Sequence, residues 1–143
     1  MDLKQIAPGY YVAPQIEAGD LPAIADAGIT RIICNRPDAE NPPELQAAAI
    51  EAAARGAGLD FAAVPMTNES LTLDDVARHA ELIEQANGPV LAYCRSGTRS
   101  TIIWAMGQAG KMPTDEIVAA GARGGYDLSG LRPTLDKLAE QAG

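Results

Sequence analysis

Aromatic side chains are scarce in this sequence of 143 residues: one Phe, one Trp and four Tyr make up 4%. A core must therefore be built mostly from Ala, Ile, Leu and Val. With 47% hydrophobic residues the chain holds enough of them for one globular domain over residues 1–143. Positive charge is also short. Eleven Lys and Arg stand against 19 Asp and Glu, a net charge of −8, which argues against nucleic acid or an anionic membrane as partner. No apolar run approaches the ~20 residues that cross a bilayer. Met1 to Gly19 has no basic start followed by an apolar stretch, so no secretory leader is read there.

Cysteine and histidine are nearly absent too. With two Cys and no leader, no structural disulfide is expected, and a cytoplasmic, reducing location is the expectation. Cys34, His79 and Cys94 lack the paired spacing of metal ligands, so neither a metal nor a cofactor is expected. His79 sits mid-helix beside Arg78 and near Glu81, where a solvated surface position is expected. A cysteine nucleophile would then have no histidine base, which disfavours papain-like acyl transfer. Neither Gly-x-x-x-x-Gly-Lys-Ser/Thr nor a strand followed by Gly-x-Gly-x-x-Gly occurs.

What is present is an alternation of strand and helix signals. Tyr10 to Ala13, Arg31 to Cys34, Asp60 to Val64 and Val90 to Tyr93 read as strands. Helices are expected from Asp20 to Gly28, Glu44 to Ala57, Thr72 to Asn87, after the loop at Cys94, from Thr114 to about Gly121, and from Leu131 to Gln141. Alternating elements of this kind imply an α/β fold with a parallel sheet covered on both faces. Working sites in such sheets lie outside the carboxyl ends of the strands. Cys94 stands at one such end, and the segments from Asn35 to Glu40 and from Pro65 to Glu69 are expected to form the opposite wall.

Residues 90 to 104 carry the sharpest signal. An apolar run from Val90 to Tyr93 stops at Cys94, a polar loop with one glycine follows, and an apolar-periodic helix begins near Thr101. A cysteine in that position faces the N–H groups and positive dipole of a helix start, with Arg95 and Arg99 close by. Each favours thiolate over thiol. Backbone N–H groups from Ser96, Gly97, Thr98 and Arg99 are expected to point inward, and the Arg99 fork to close the ring around an anion. The bland alternative is a small buried thiol that ends a core strand.

The loop Cys94-Arg95-Ser96-Gly97-Thr98-Arg99-Ser100 resembles two cradles. Tyrosine and dual-specificity phosphatases place five residues between the cysteine and the arginine. Rhodanese sulfurtransferases commonly place one fewer, and the four residues here match the rhodanese count. Tyr11-Val12-Ala13-Pro14-Gln15, Asn35-Arg36-Pro37-Asp38 and Gly125-Tyr126-Asp127-Leu128 extend the likeness to most of the chain. Together they resemble the bacterial phosphatase-like, rhodanese-like domain of the beta-lactamase hydrolase-like proteins. The resemblance implies a compact tyrosine-phosphatase-like fold with four parallel strands. It also implies a neighbour, fused or separate: a persulfide dioxygenase of metallo-β-lactamase fold.

Two physical points favour sulfur transfer. A short loop suits one extra sulfur better than a tetrahedral phosphate, and the rim segment from Pro65 to Ser70 offers no Asp as general acid. Glu69 and Asp38 are the carboxyl groups at hand, the first expected to be solvated, the second to fix a turn near Arg36. In the expected reaction Cys94 takes sulfane sulfur from thiosulfate or a low-molecular-weight persulfide and passes it to a thiol, cyanide or sulfite. Arg99 and Arg95 hold the anionic donor, backbone N–H groups steady the persulfide, and the Ser100 hydroxyl bonds the Cys94 sulfur. The alternative is a phosphatase working on a phosphate ester through a Cys94 phosphocysteine. A further alternative is a non-catalytic anion-binding or redox-sensing module, Cys94 oxidising reversibly. Cys34 is expected in the core, with a back-door disulfide to Cys94 as its functional alternative.

Overall fold

The computed structural model of the chain describes residues 3–67 and 69–142. All four expected strands form, as β2 (Tyr10–Ala13), β3 (Arg31–Cys34), β4 (Asp60–Ala63) and β5 (Val90–Tyr93). They run parallel, β5 lying between β2 and β3 with β4 outside β3. A fifth strand, β1 (Lys4–Ala7), corrects the expected count and makes the sheet mixed. It folds back antiparallel onto β2 through Pro8-Gly9, where Gly9 takes the left-handed conformation the tight turn needs (φ +78°). Only Ile6 of β1 is fully buried, so the strand has almost no hydrophobic pattern to announce it.

Each helix covers the face that its connection allows. α1 (Leu21–Asp26) and α2 (Ala47–Gly56) follow β2 and β3, and bury Leu21, Ile24, Ile50 and Ala54 against Ile32, Cys34, Leu91 and Tyr93. α3 (Leu73–Glu84), α4 (Thr98–Gln108), α5 (Thr114–Arg123) and α6 (Arg132–Ala142) bury Val76, Ile103, Ile117 and Leu135 in the cluster on the other face. That face shows Tyr10, Val12, Ile33, Val90 and Ala92, the alternate residues of the same strands. Thr72 caps α3 reciprocally with Asp75, accepting its N–H at 3.1 Å. Among the described residues no helix is long and apolar enough to cross a membrane.

The topology decides where a crevice opens. The chain leaves β2 and β3 toward one face and β5 toward the other, so the connections part at the carboxyl end of β5. Cys94 is the next residue.

Candidate functional site

Beyond β5 the backbone turns sharply, and Gly97 makes the turn. It has φ +94°, and a Cβ there would strike the Tyr126 ring, whose Cζ lies 2.9 Å from that position. Glycine is required twice over. Tyr126 covers the loop from above, its hydroxyl donating to the Ser96 carbonyl at 2.9 Å. From below, the Thr101 N–H and hydroxyl both bond the Gly97 carbonyl, at 3.0 and 2.8 Å. So clamped, the loop directs the Gly97 N–H onto Cys94 Sγ at 3.0 Å. Cys94 is fully buried.

α4 starts at Thr98, three residues before the apolar pattern suggests, so Arg99 and Ser100 belong to its first turn. N–H groups there have no partner within the helix and can meet an anion. The side chains of Ser96 and Thr98 turn outward and bond each other at 3.0 Å, Ser96 Oγ also accepting the Thr98 N–H at 3.4 Å. Arg95 is exposed, and its carbonyl accepts the Gln15 N–H at 3.3 Å. The two loop arginines are therefore not equivalent.

Arg99 turns into the site and meets Glu40, the last residue of the expected wall segment from Asn35, which had no expected role. Its Nη1 and Nη2 donate to Glu40 Oε2 and Oε1 at 2.9 and 2.7 Å, and Nη1 also donates to the Met66 carbonyl at 3.0 Å. The Glu40 hydrogen bonds, and further the Cys94 sulfur, raise the guanidinium above its ordinary range. Arg99 and Arg36 in turn hold the Glu40 carboxyl below the usual carboxylate range. Arg36 reaches Arg99 by way of Glu40, its Nε donating to Oε1 at 3.1 Å. Asp38 faces elsewhere and accepts the Ala47 N–H at 2.8 Å, capping α2 from a distance. Glu69 is exposed on a turn closed by Thr67 and Ser70. The rim segment also contains Asn68, which lies outside the described residues. No carboxyl group is aimed at Cys94 as a proton donor among the described residues.

Beneath the loop lies a dry polar network. Tyr10, Asn35, His79 and Ser100 are all buried. The Tyr10 hydroxyl donates to the Ser100 carbonyl at 2.7 Å, so its proton is spent. His79 Nε2, 3.0 Å from that hydroxyl, must then carry the ring proton, leaving Nδ1 to accept from Asn35 Nδ2 at 3.4 Å. The Asn35 amide also donates to the Val64 carbonyl at 3.0 Å, and its oxygen accepts the Ser100 hydroxyl at 2.8 Å. Two expectations fall here. His79 is a neutral core residue, its pKa lowered to about 3 by burial. Ser100 gives its proton to Asn35 rather than to the Cys94 sulfur.

Cys34 is a core residue. In-register pairing puts Cys34 and Tyr93 side by side in the cluster under α1 and α2. Cys94 follows Tyr93, and strand alternation sends its side chain to the opposite face. Both thiols are free in the fold, and side chains on opposite faces do not offer the converging Cβ vectors that a disulfide demands. Burial also pushes the Cys34 thiol up, away from the reactive thiolate.

Known proteins share this architecture. Residues 2–111 match the family model described as beta-lactamase hydrolase-like protein, phosphatase-like domain. The Beta-lactamase hydrolase-like protein of Agrobacterium fabrum is 30% identical over 88% of this chain and 30% of its own length. The chain thus spans less than a third of the curated relatives it matches. A crystal structure from Neisseria meningitidis, described as a candidate phosphatase, is 37% identical with a TM-score of 0.85, covering 96% of this chain and 99% of that one. PTPMT1, at 13% identity, shares the fold alone, with a TM-score of 0.74 and coverage of 97% and 94%. The fold is thus tyrosine-phosphatase-like, as the resemblance implied, while the rhodanese likeness is confined to the length of the loop.

Proposed function

The chain belongs to the beta-lactamase hydrolase-like protein, phosphatase-like domain family, and from that premise we propose that it hydrolyses phosphate monoesters through Cys94. The observation that carries this is the buried Cys94 Sγ at the start of the loop, accepting the Gly97 N–H at 3.0 Å, with Arg99 in the first turn of the helix that the loop opens. The Cys94 thiolate attacks phosphorus, the S–P bond forms as the ester P–O bond breaks, and the alcohol leaves with a proton from solvent. Water then attacks the phosphocysteine, phosphate departs, and the thiolate returns. Arg99 and the first-turn N–H groups of α4 hold the phosphoryl oxygens. Since no carboxyl group among the described residues is aimed at Cys94 as a proton donor, substrates with acidic leaving groups are preferred, aryl esters before alkyl esters.

A second reading, sulfur transfer through a Cys94 persulfide, is favoured by the four-residue loop and by the lack of an aimed acid among the described residues, since a sulfite or thiolate leaving group needs none. The persulfide dioxygenase of metallo-β-lactamase fold is a partner under this reading only. Incubating the full chain with an aryl phosphate and, separately, with thiosulfate, then measuring intact mass after acid quench, separates the two. A gain of one phosphoryl group on Cys94 supports hydrolysis, and a gain of one sulfur supports transfer.

A further inference from the structure

Ser96 and Gly97 share one peptide unit, and both of its polar ends are engaged. Its carbonyl accepts the Tyr126 hydroxyl at 2.9 Å, and its N–H donates to Cys94 Sγ at 3.0 Å. The unit is trans, so its C=O and N–H point in opposite directions. A donor that holds the oxygen on one side therefore aims the hydrogen at the sulfur on the other. The loop needs such a hold. Glycine accepts either sign of φ, so the unit before Gly97 has no Cβ to stop it turning over. Turned over, it would present an oxygen to the thiolate instead of a proton.

We propose that Tyr126 is a positioning residue for Cys94, its hydroxyl fixing the Ser96–Gly97 peptide with the N–H turned inward onto the sulfur. The simpler account is a ring that fills space over a glycine. Three observations speak against filler. The hydroxyl, which packing alone does not require, is bonded to the loop itself. The ring also stands on a fixed base at the end of α5. There the Gly125 N–H bonds the Ala122 carbonyl and the Tyr126 N–H bonds the Gly121 carbonyl, both at 2.9 Å, with Gly125 at φ +91°. That pair of bonds closes a helix around a left-handed glycine and sets the direction of the residue after it. Finally, the ring is braced: Lys4 Nζ of β1 lies 5.1 Å from its centroid, and a Cβ on Gly124 would stand 3.3 Å from its edge. Through this one side chain α5 and β1 set the orientation of a peptide next to the reacting atom. The sulfur so held keeps an N–H partner when it departs from the transferred group, which is where negative charge returns to it.

The inference rests on the reading of Cys94 as the reacting thiolate, and not on which group it transfers. Amide hydrogen exchange, followed by NMR in the isotope-labelled full chain, tests it without turnover. Tyr126→Phe keeps the ring over Gly97 and removes only the hydroxyl. The Gly97 N–H is expected to exchange about tenfold faster in that variant, the scale of one hydrogen bond to a charged group, while the amides of α4 and α5 keep their rates. Cys94→Ala marks the rate of a Gly97 N–H without its acceptor. An unchanged Gly97 rate in Tyr126→Phe overturns the proposal, and so does a rise shared by α4 and α5, which is general loosening. A wild-type rate already at the Cys94→Ala value overturns it at the root. Turnover gives a second readout. On an aryl phosphate, Tyr126→Phe is expected to lose about tenfold in kcat with KM within about twofold, because Arg99 still holds the anion, and an unchanged kcat overturns the proposal. A wild-type chain that turns over no phosphate ester sinks the phosphatase reading alone, and the exchange rates then decide the role of Tyr126 by themselves.

Discussion

Arg99 and Ser100 are neighbours in sequence at one helix start, yet they face opposite worlds. Arg99 lies in a charged, half-wet layer, its side chain 16% exposed against a Glu40 side chain 33% exposed. Ser100 lies in a layer that water does not reach, bonded to Asn35 and Tyr10 with His79 behind them. The outer layer fixes its arginine with ions, and the inner layer fixes the helix with neutral groups in a defined proton order. Buried charge is costly to desolvate, whereas neutral partners with every bond made are not. The same loop is thus held from both sides by whichever chemistry its depth permits.

The largest effect belongs to the outer layer. Arg99→Lys keeps the charge and loses the planar fork whose paired donors Glu40 grips. Turnover is expected to fall about 100-fold with the fold intact, measured as kcat/KM on an aryl phosphate alongside circular dichroism. A loss of less than about threefold would break the claim that geometry rather than charge matters there. The inner layer answers in stability instead. Asn35→Ala leaves the Ser100 hydroxyl and His79 Nδ1 without partners, and is expected to cost about 2–4 kcal/mol in urea unfolding.

Acid separates the layers further. In the fold His79 binds no proton until about 3, while the unfolded chain takes one up below the ordinary value of 6.5. Its contribution to stability is whole above that value and drains as pH falls, by about 1.4 kcal/mol per pH unit. Glu40 is lowered too, so the outer clamp persists below the usual carboxylate range and is lost only as pH falls through its own shifted value. Urea midpoints against pH check the order, and His79→Leu is expected to flatten the upper part of the slope. The smallest effect is expected from Arg95→Lys. An exposed side chain outside both layers should leave kcat/KM within about twofold.

Four strands and the loop were legible because their apolar runs are long enough to read alone. β1 was not, since its place depends on pairing with β2. The burial of His79 did leave a trace: Val76, Ala80 and Ile83 trace the inward stripe of α3, and His79, three residues after Val76, lies on it. Glu40 was legible as the end of the wall segment from Asn35, but its ion pair was not, because its partner Arg99 is 59 residues away and only the fold joins them. The Ser100 proton was also beyond reach. Its direction follows from the order of donors through Tyr10, His79 and Asn35, which spacing does not reveal. The Tyr126 cover over Gly97 lies in a segment that the resemblance had marked, without a role.

Whether Cys94 takes up a phosphoryl group decides the proposed phosphatase activity. The most direct measurement is rapid acid quench of the full chain during turnover of an aryl phosphate, followed by intact mass and peptide mapping. One phosphoryl group on Cys94, absent in Cys94→Ser, is the predicted result. An aryl phosphate consumed with no covalent phosphate on Cys94, or left untouched while thiosulfate adds one sulfur there, would contradict it.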